Sequence, residues 1–171
     1  MRWGAVGAAG IAALAVSVFP AAVGTAAAPA CAADALSLNT RITEVSGPNA
    51  QNHLELELTN TSAQACALQG FPGVDLVGAE HPTFGPVYQI PRQVADAAPV
   101  TIEPGRRAIS VLTYLTAPPE DPNSWTPGTI VVTPPDTTTQ LQTPWPAAYL
   151  TIQRQDAATH PGTFVGPLRA V

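Results

Sequence analysis

The sequence predicts an all-β antiparallel sandwich, and three observations do so. Two stretches alternate strictly between apolar and polar residues. Gly, Pro, Asn and Asp clusters interrupt the chain at short intervals. Beyond residue 30 no window repeats its apolar residues at the helical period, and the spacing of the 19 prolines would break most helices.

Taken in order, residues 36–45 put Leu36, Leu38, Thr40 and Ile42 in one phase, and Gly47-Pro48-Asn49 ends the run. Residues 53–60 carry the clearest pattern. Leu54, Leu56 and Leu58 fall on one face, and Glu55 and Glu57 on the other. That is a half-buried strand with a wet side, closed by the turn chemistry of Asn60-Thr61-Ser62. After Gly70-Phe71-Pro72-Gly73, the run Val74-Asp75-Leu76-Val77 is a short strand. Val100-Thr101-Ile102 alternates before Glu103-Pro104-Gly105 turns the chain. Residues 107–115 follow, with Ile109, Val111 and Leu115 facing one way and Leu112 and Tyr114 the other. Residues 129–133 are β-branched throughout and stop at Pro134-Pro135-Asp136. Residues 138–142, 148–153 and 163–168 are weaker strand candidates, and the Pro-rich stretches 81–91 and 117–127 read as loops. No internal repeat is visible. Residues 31–171 are expected to form a single β-sandwich domain, large enough to stand without a metal.

Residues 1–30 read as a helical export signal that is cleaved from the mature chain. Arg2 supplies the positive start, residues 4–19 are apolar but rich in Ala and Gly, Pro20 breaks the helix, and residues 21–30 are small with several A-x-A matches. A membrane anchor would want ~20 strongly apolar residues, so no transmembrane segment is expected in the mature chain; a retained N-terminal helix is the alternative. Cleavage after Ala30 suits Ala28-Pro29-Ala30, whereas cleavage after Ala28 would leave Pro29 first. The expected location is secreted, or the extracellular face of the cell envelope.

The chain has 7 basic residues, all of them Arg, against 12 acids, and a formal net charge of −5. Without clustered Lys and Arg to neutralise phosphates, nucleic acid is excluded as a partner, and so is a polybasic membrane patch. The two cysteines, Cys31 and Cys66, suggest a disulfide in an exported chain. Two rivals stay open: lipidation of Cys31 just after the signal region, and two free thiols. Lipidation suits Ala28-Pro29-Ala30 poorly, because a lipoprotein signal normally carries Leu or a similar residue three places before the Cys.

Reactive chemistry is sparse. His53 starts a strand, while His81 and His160 belong to loops. There is no H-E-x-x-H, C-x-x-C, G-x-S-x-G, S-x-x-K or phosphate-binding glycine motif, so neither a metal nor a cofactor is expected. Ser110 sits mid-strand between apolar neighbours, and a Cys66–His53 pair competes with the disulfide. Glu55 and Glu57 are about 6–7 Å apart on one strand face. That spacing resembles a glycosidase pair, but alternating Glu on a wet face is ordinary. Glu120-Asp121 lacks a regular calcium-ligand run, and Asn60-Thr61-Ser62 matches the glycosylation pattern while also closing a turn. Phe84, Tyr88, Trp125 and Trp145 lie in Pro-rich loops. They are candidate binding-loop aromatics for a protein or glycan partner, or else caps on the ends of the core.

The run 56–74, Leu-Glu-Leu-Thr-Asn-Thr-Ser-Ala-Gln-Ala-Cys-Ala-Leu-Gln-Gly-Phe-Pro-Gly-Val, resembles the signature of the domain of unknown function 4232, a family of exported proteins found mostly in actinobacteria. Cys31, Glu103-Pro104-Gly105, Val132-Thr133-Pro134-Pro135 and Phe164-Val165-Gly166-Pro167-Leu168 fit as well, so the likeness spans roughly residues 31–168. The resemblance implies an immunoglobulin-like sandwich with Cys31 bridged to Cys66. Many members carry a second cysteine pair in the C-terminal half. This chain has no Cys after 66, so the loops at 125–127 and 145–160 are expected to be shaped differently. No catalytic residues come with the resemblance.

The function expected from these readings is a non-catalytic binding or structural module, acting as a monomer. One alternative is a lipid-anchored or periplasm-like carrier of an apolar ligand. The other is a hydrolase using loop acids or histidines.

Overall fold

The leucines of the clearest alternation lie where their phase puts them. In a computed structural model, Leu54, Leu56 and Leu58 are fully buried on one side of a long strand. The structure describes residues 1, 4, 27–47, 49–147, 150–155 and 162–171. A 3-10 turn at Ala33–Ala35 leads into β1 (Leu36–Glu44) and β2 (Gln51–Asn60). Then come β3 (Cys66–Leu68), β4 (Gly73–Gly78), β5 (Val87–Gln89), β6 (Val100–Ile102) and β7 (Arg107–Leu115). The remainder is β8 (Ser124–Trp125), β9 (Pro127–Thr133), β10 (Leu141–Pro144), β11 (Ile152–Gln153), β12 (Phe164–Val165) and β13 (Arg169–Ala170). No helix among the described residues is long and apolar enough to cross a membrane.

Every pairing between these strands is antiparallel. The first sheet runs β1-β2-β7-β12, with β13 also on β7, and the second runs β10-β9-β4-β5. One buried cluster joins them. It takes Leu54, Leu56, Leu58, Leu112 and Tyr114 from the first sheet and Val74, Leu76, Ile130 and Val132 from the second. Each sheet therefore turns its apolar rows inward onto the other, which is what two half-wet sheets must do to bury them. Two short ladders, β3–β6 and β8–β11, complete the described structure.

The strongly patterned strands lie where the sequence expects them, and the departures have local causes. The stretches 81–91 and 117–127, read as loops, contain β5 and β8. β5 is an edge strand, where flanking prolines are tolerated. Of the strand expected at 163–168 only Phe164–Val165 pairs, because Gly166-Pro167 interrupts it, and β13 lies just beyond. The 138–142 candidate begins at Leu141 instead, and of 148–153 only Ile152–Gln153 pairs, residues 148–149 lying outside the described set. On β7, Ile109 and Thr113 are buried as well as Leu112 and Tyr114, so its outer face is partly covered.

Cys31 and Cys66 form a disulfide, with Cα atoms 4.8 Å apart and both residues buried. A sulfur engaged in the bridge has no free thiol to carry an acyl chain. A formed disulfide suits an oxidising compartment. Backbone bonds reinforce the clamp: Cys31 N–H donates to Ala67 O at 2.9 Å, and Ala67 N–H donates to Pro29 O at 2.7 Å. Most of the expected export signal, 1–30, lies outside the described residues.

Asn60 explains the turn beside the bridge. It is fully buried, and its amide donates to Gln64 O (2.7 Å) and Ile102 O (3.0 Å). Its Oδ1 accepts from the backbone N–H of Ser62 (2.9 Å) and from Ser62 Oγ (2.7 Å). A side chain enclosed this way closes the turn and offers no free amide for a glycan.

Two stability predictions follow from this frame. The bridge spans a sequence separation of 35, for which loop-closure entropy assigns ~4 kcal/mol. Urea unfolding with and without reductant should therefore differ by a few kcal/mol, and coincident curves would remove the clamp from the account. Asp75 on β4 is half-buried, and burial raises its carboxyl pKa above 3.8. The folded state then holds this proton more tightly than the unfolded one, so the ionised group costs stability as pH rises through the interval above 3.8. Asp75→Asn should raise the melting temperature at pH 7, with the gain shrinking toward pH 3; a gain independent of pH would contradict the burial effect.

Candidate functional site

Of the aromatic residues weighed as binding-loop candidates or as caps on the core, Tyr88, Trp125 and Trp145 are buried and Phe84 is half-buried, so the first three are not exposed anchors. Three of the four, Phe84, Tyr88 and Trp125, surround Arg154. It follows β11 in phase with the fully buried Ile152, and so it points into the interior. Its guanidinium lies 4.7 Å from the Trp125 ring centroid, 4.8 Å from Tyr88 and 5.4 Å from Phe84. Nη1 donates to Gly85 O at 3.0 Å, and Nη2 donates to Phe84 O and Val87 O, both at 2.9 Å. Three carbonyls and three rings thus hold a buried cation that makes no ion pair with a carboxylate among the described residues.

Burial pulls the Arg154 pKa down and pushes the Tyr88 phenol up, while the Arg154 charge opposes the rise at Tyr88. Trp125 also depends on Gly78, since a Cβ there would stand 2.7 Å from Trp125 Cζ2. The indole N–H of Trp125 donates to Ala79 O at 2.7 Å. His81, buried beside Phe84, accepts the Thr83 and Phe84 backbone N–H groups at Nδ1, which leaves Nε2–H to donate to Pro122 O. Trp145 packs edge-on against Tyr114 and donates to Ala147 O at 2.9 Å.

The other candidate groups are bound into pairs. Glu55 is hydrogen-bonded to Arg41, and Glu57 lies 3.5 Å from Arg41 and 3.9 Å from Arg107. His53 Nδ1 lies 2.7 Å from Glu44 Oε2. A register shift between Ile42 and Glu44 sets Glu44, rather than Thr43, opposite His53. Ser110 donates to Gly166 O at 2.7 Å, and Asp121 accepts the Asn123 N–H at 2.8 Å in a local turn. His160 lies outside the described residues. Among the described residues, no group of three His, Cys, Asp or Glu side chains could hold a metal ion.

A groove of about 310 Å³ lined from the first sheet opens to solvent, as does a wider, shallower depression of about 500 Å³ beside Cys31 and Asp136. The register sets out rows across that sheet's outer face. One row is Asn39, Glu57, Ile109 and Arg169; the next is Arg41, Glu55 and Val111; the next is Glu44, His53, Thr113 and Phe164. Val111, Phe164 and Pro167 supply apolar walls to the groove, and His53, Gln93, Thr113 and Arg169 supply polar ones. Gln93 arrives from the 91–99 segment, held because its N–H donates to Val165 O at 2.8 Å. Gly166 helps to keep the space open, as a Cβ there would reach to 3.5 Å from Gln93 Oε1. All the exposed arginines among the described residues lie on this face or its border: Arg41, Arg107 and Arg169 on the strands, Arg106 at the turn before β7, and Arg92 beside Val165.

Sequence reasoning named His53 but missed Gln93, Phe164, Pro167 and Arg169 as neighbours. No local pattern joins them, because they meet only through the pairing of β12 and β13 with β7.

A family model described as Domain of unknown function (DUF4232) matches residues 31–165. No curated protein matches the chain.

The buried cation is directly testable. Arg154→Met keeps bulk but takes the guanidinium donor from the Phe84 and Val87 carbonyls, while Gly85 O keeps the His81 N–H; each unsatisfied group costs about 1–3 kcal/mol. Arg154→Lys restores charge without the planar fork and should recover only part of the loss. Equal stability of wild type and both variants in urea would show that the cage does not hold the fold.

Proposed function

The chain belongs to the DUF4232 family, and from that premise we propose that it is a non-catalytic binding module, secreted or displayed on the outer face of a cell envelope. The observation that carries this reading is a division of labour among its polar groups. Among the described residues, Glu44 and His53 pair with one another, Glu55 and Glu57 with arginines, and His81 and Ser110 with backbone. Arg169, at the groove's polar end beside Gln93, makes no ion pair among the described residues. A cleft with apolar walls and a few convergent polar groups is the usual form of a ligand site. The disulfide supports the exported setting, where such bridges persist. The apolar-carrier alternative gains nothing from the space between the sheets, which fully buried Leu, Ile and Val side chains fill. Large exposed apolar residues among the described residues are few and far apart in sequence (Met1, Val45, Val87, Val94, Val171), in keeping with a monomer.

The test is a fragment screen by two-dimensional NMR on the oxidised protein, using neutral, anionic and cationic compounds. Binding fragments should move the resonances of Val111, Thr113 and Phe164, and Val111→Trp, which fills the groove, should abolish those shifts with the spectrum otherwise intact. Shifts clustered elsewhere, or steady turnover of glycoside or peptide substrates, would overturn the reading.

A further inference from the structure

Resting on the groove as a binding site, we propose that its ligand is an acidic sugar, a uronic-acid unit of an anionic polysaccharide. The first argument is charge. Arg169 is exposed on the groove wall and makes no ion pair among the described residues. It stands across Ile109 from Glu57 in the sheet register. Glu57 is already faced by Arg41 and Arg107, and Glu55 is hydrogen-bonded to Arg41. Glu55 and Glu57 are therefore faced by other cations and Glu44 by the His53 imidazole, while the Arg169 fork is left for a carboxylate, which it matches through two parallel N–H groups.

The second argument is the shape and chemistry of the walls. Phe164, Val111 and Pro167 offer an apolar surface to the C–H face of a pyranose ring. The Gln93 amide both donates and accepts, as sugar hydroxyls require, and Thr113 and His53 add further polar groups. At about 310 Å³ the groove lies at the small end of ligand clefts, suited to a ring and not to an extended molecule. An anionic membrane or a phosphate polymer would demand a cluster of cations, whereas here Glu44, Glu55 and Glu57 interleave with the arginines.

The experiment is an NMR titration of the full oxidised domain with methyl β-glucuronide, against methyl β-glucoside and N-acetyl-aspartate amide. The glucuronide should move Val111, Thr113, Phe164 and Arg169 and bind about tenfold more tightly than the glucoside, as one charge-assisted bidentate contact allows. Arg169→Gln should erase that preference with the fold's spectrum unchanged, and Gln93→Ala should weaken both sugars. Equal binding of the two sugars, a preference that survives Arg169→Gln, or tighter binding of the aspartate derivative would overturn the assignment; the last would point to an acidic peptide. If other fragments occupy the groove and the glucuronide does not, this inference fails and the binding reading stands. If nothing occupies it, both fail.

Discussion

The pairing of β2 with β7 governs both faces of the first sheet. Their register runs without interruption from Gln51 opposite Leu115 to Thr59 opposite Arg107. Side chains alternate across a strand, so this register puts Leu54, Leu56 and Leu58 against the second sheet and leaves His53, Glu55 and Glu57 outside. A slip of one residue would exchange the two sets, driving two carboxylates and an imidazole into the core. The same register orders the outer rows in which Arg41 and Arg107 meet Glu57, and the separate pairing of β12 and β13 with β7 adds Phe164 and Arg169 to those rows. Core and charge ladder are consequences of one alignment, and the groove needs the second.

Where the sheets give way to loops, a different solution operates. A sandwich must close over backbone that its ladders leave unpaired. This chain uses buried polar side chains with nearly complete sets of partners to do so. Asn60 satisfies two carbonyls and a backbone amide beside the disulfide. His81 does similar work between the 83–84 amides and Pro122. Arg154 is the extreme case, a charge taken from water and held by carbonyl dipoles and ring faces. Such groups are hard to replace, because removing any one leaves its partners desolvated and unpaired.

The sequence made the long strands legible and left the cage and the groove largely unread. Alternation over 36–45 and 53–60 is long enough to announce a face, whereas β3, β5 and β8 are two or three residues each and carry no period. Phe84, Tyr88 and Trp125 turn inward around Arg154, at least 29 positions away in the chain. One signal was present: Arg154 shares the phase of Ile152 in a Leu-Thr-Ile-Gln-Arg run, which places a cation on an apolar face. Arg169 and Phe164 sit near the end of the chain, just beyond and within a stretch read as one weak strand. Only the break at Gly166-Pro167 brings them to the same face.

The cage also sets a timetable. Its rings and carbonyls come from residues 84–88 and 125, and its cation from residue 154. The strands β12 and β13 that pair with β7 are later still. Contacts this distant in sequence form slowly, because the intervening chain must first surrender its freedom. One end of the sandwich therefore stays unsealed until residue 154 and the strands that follow it have been made.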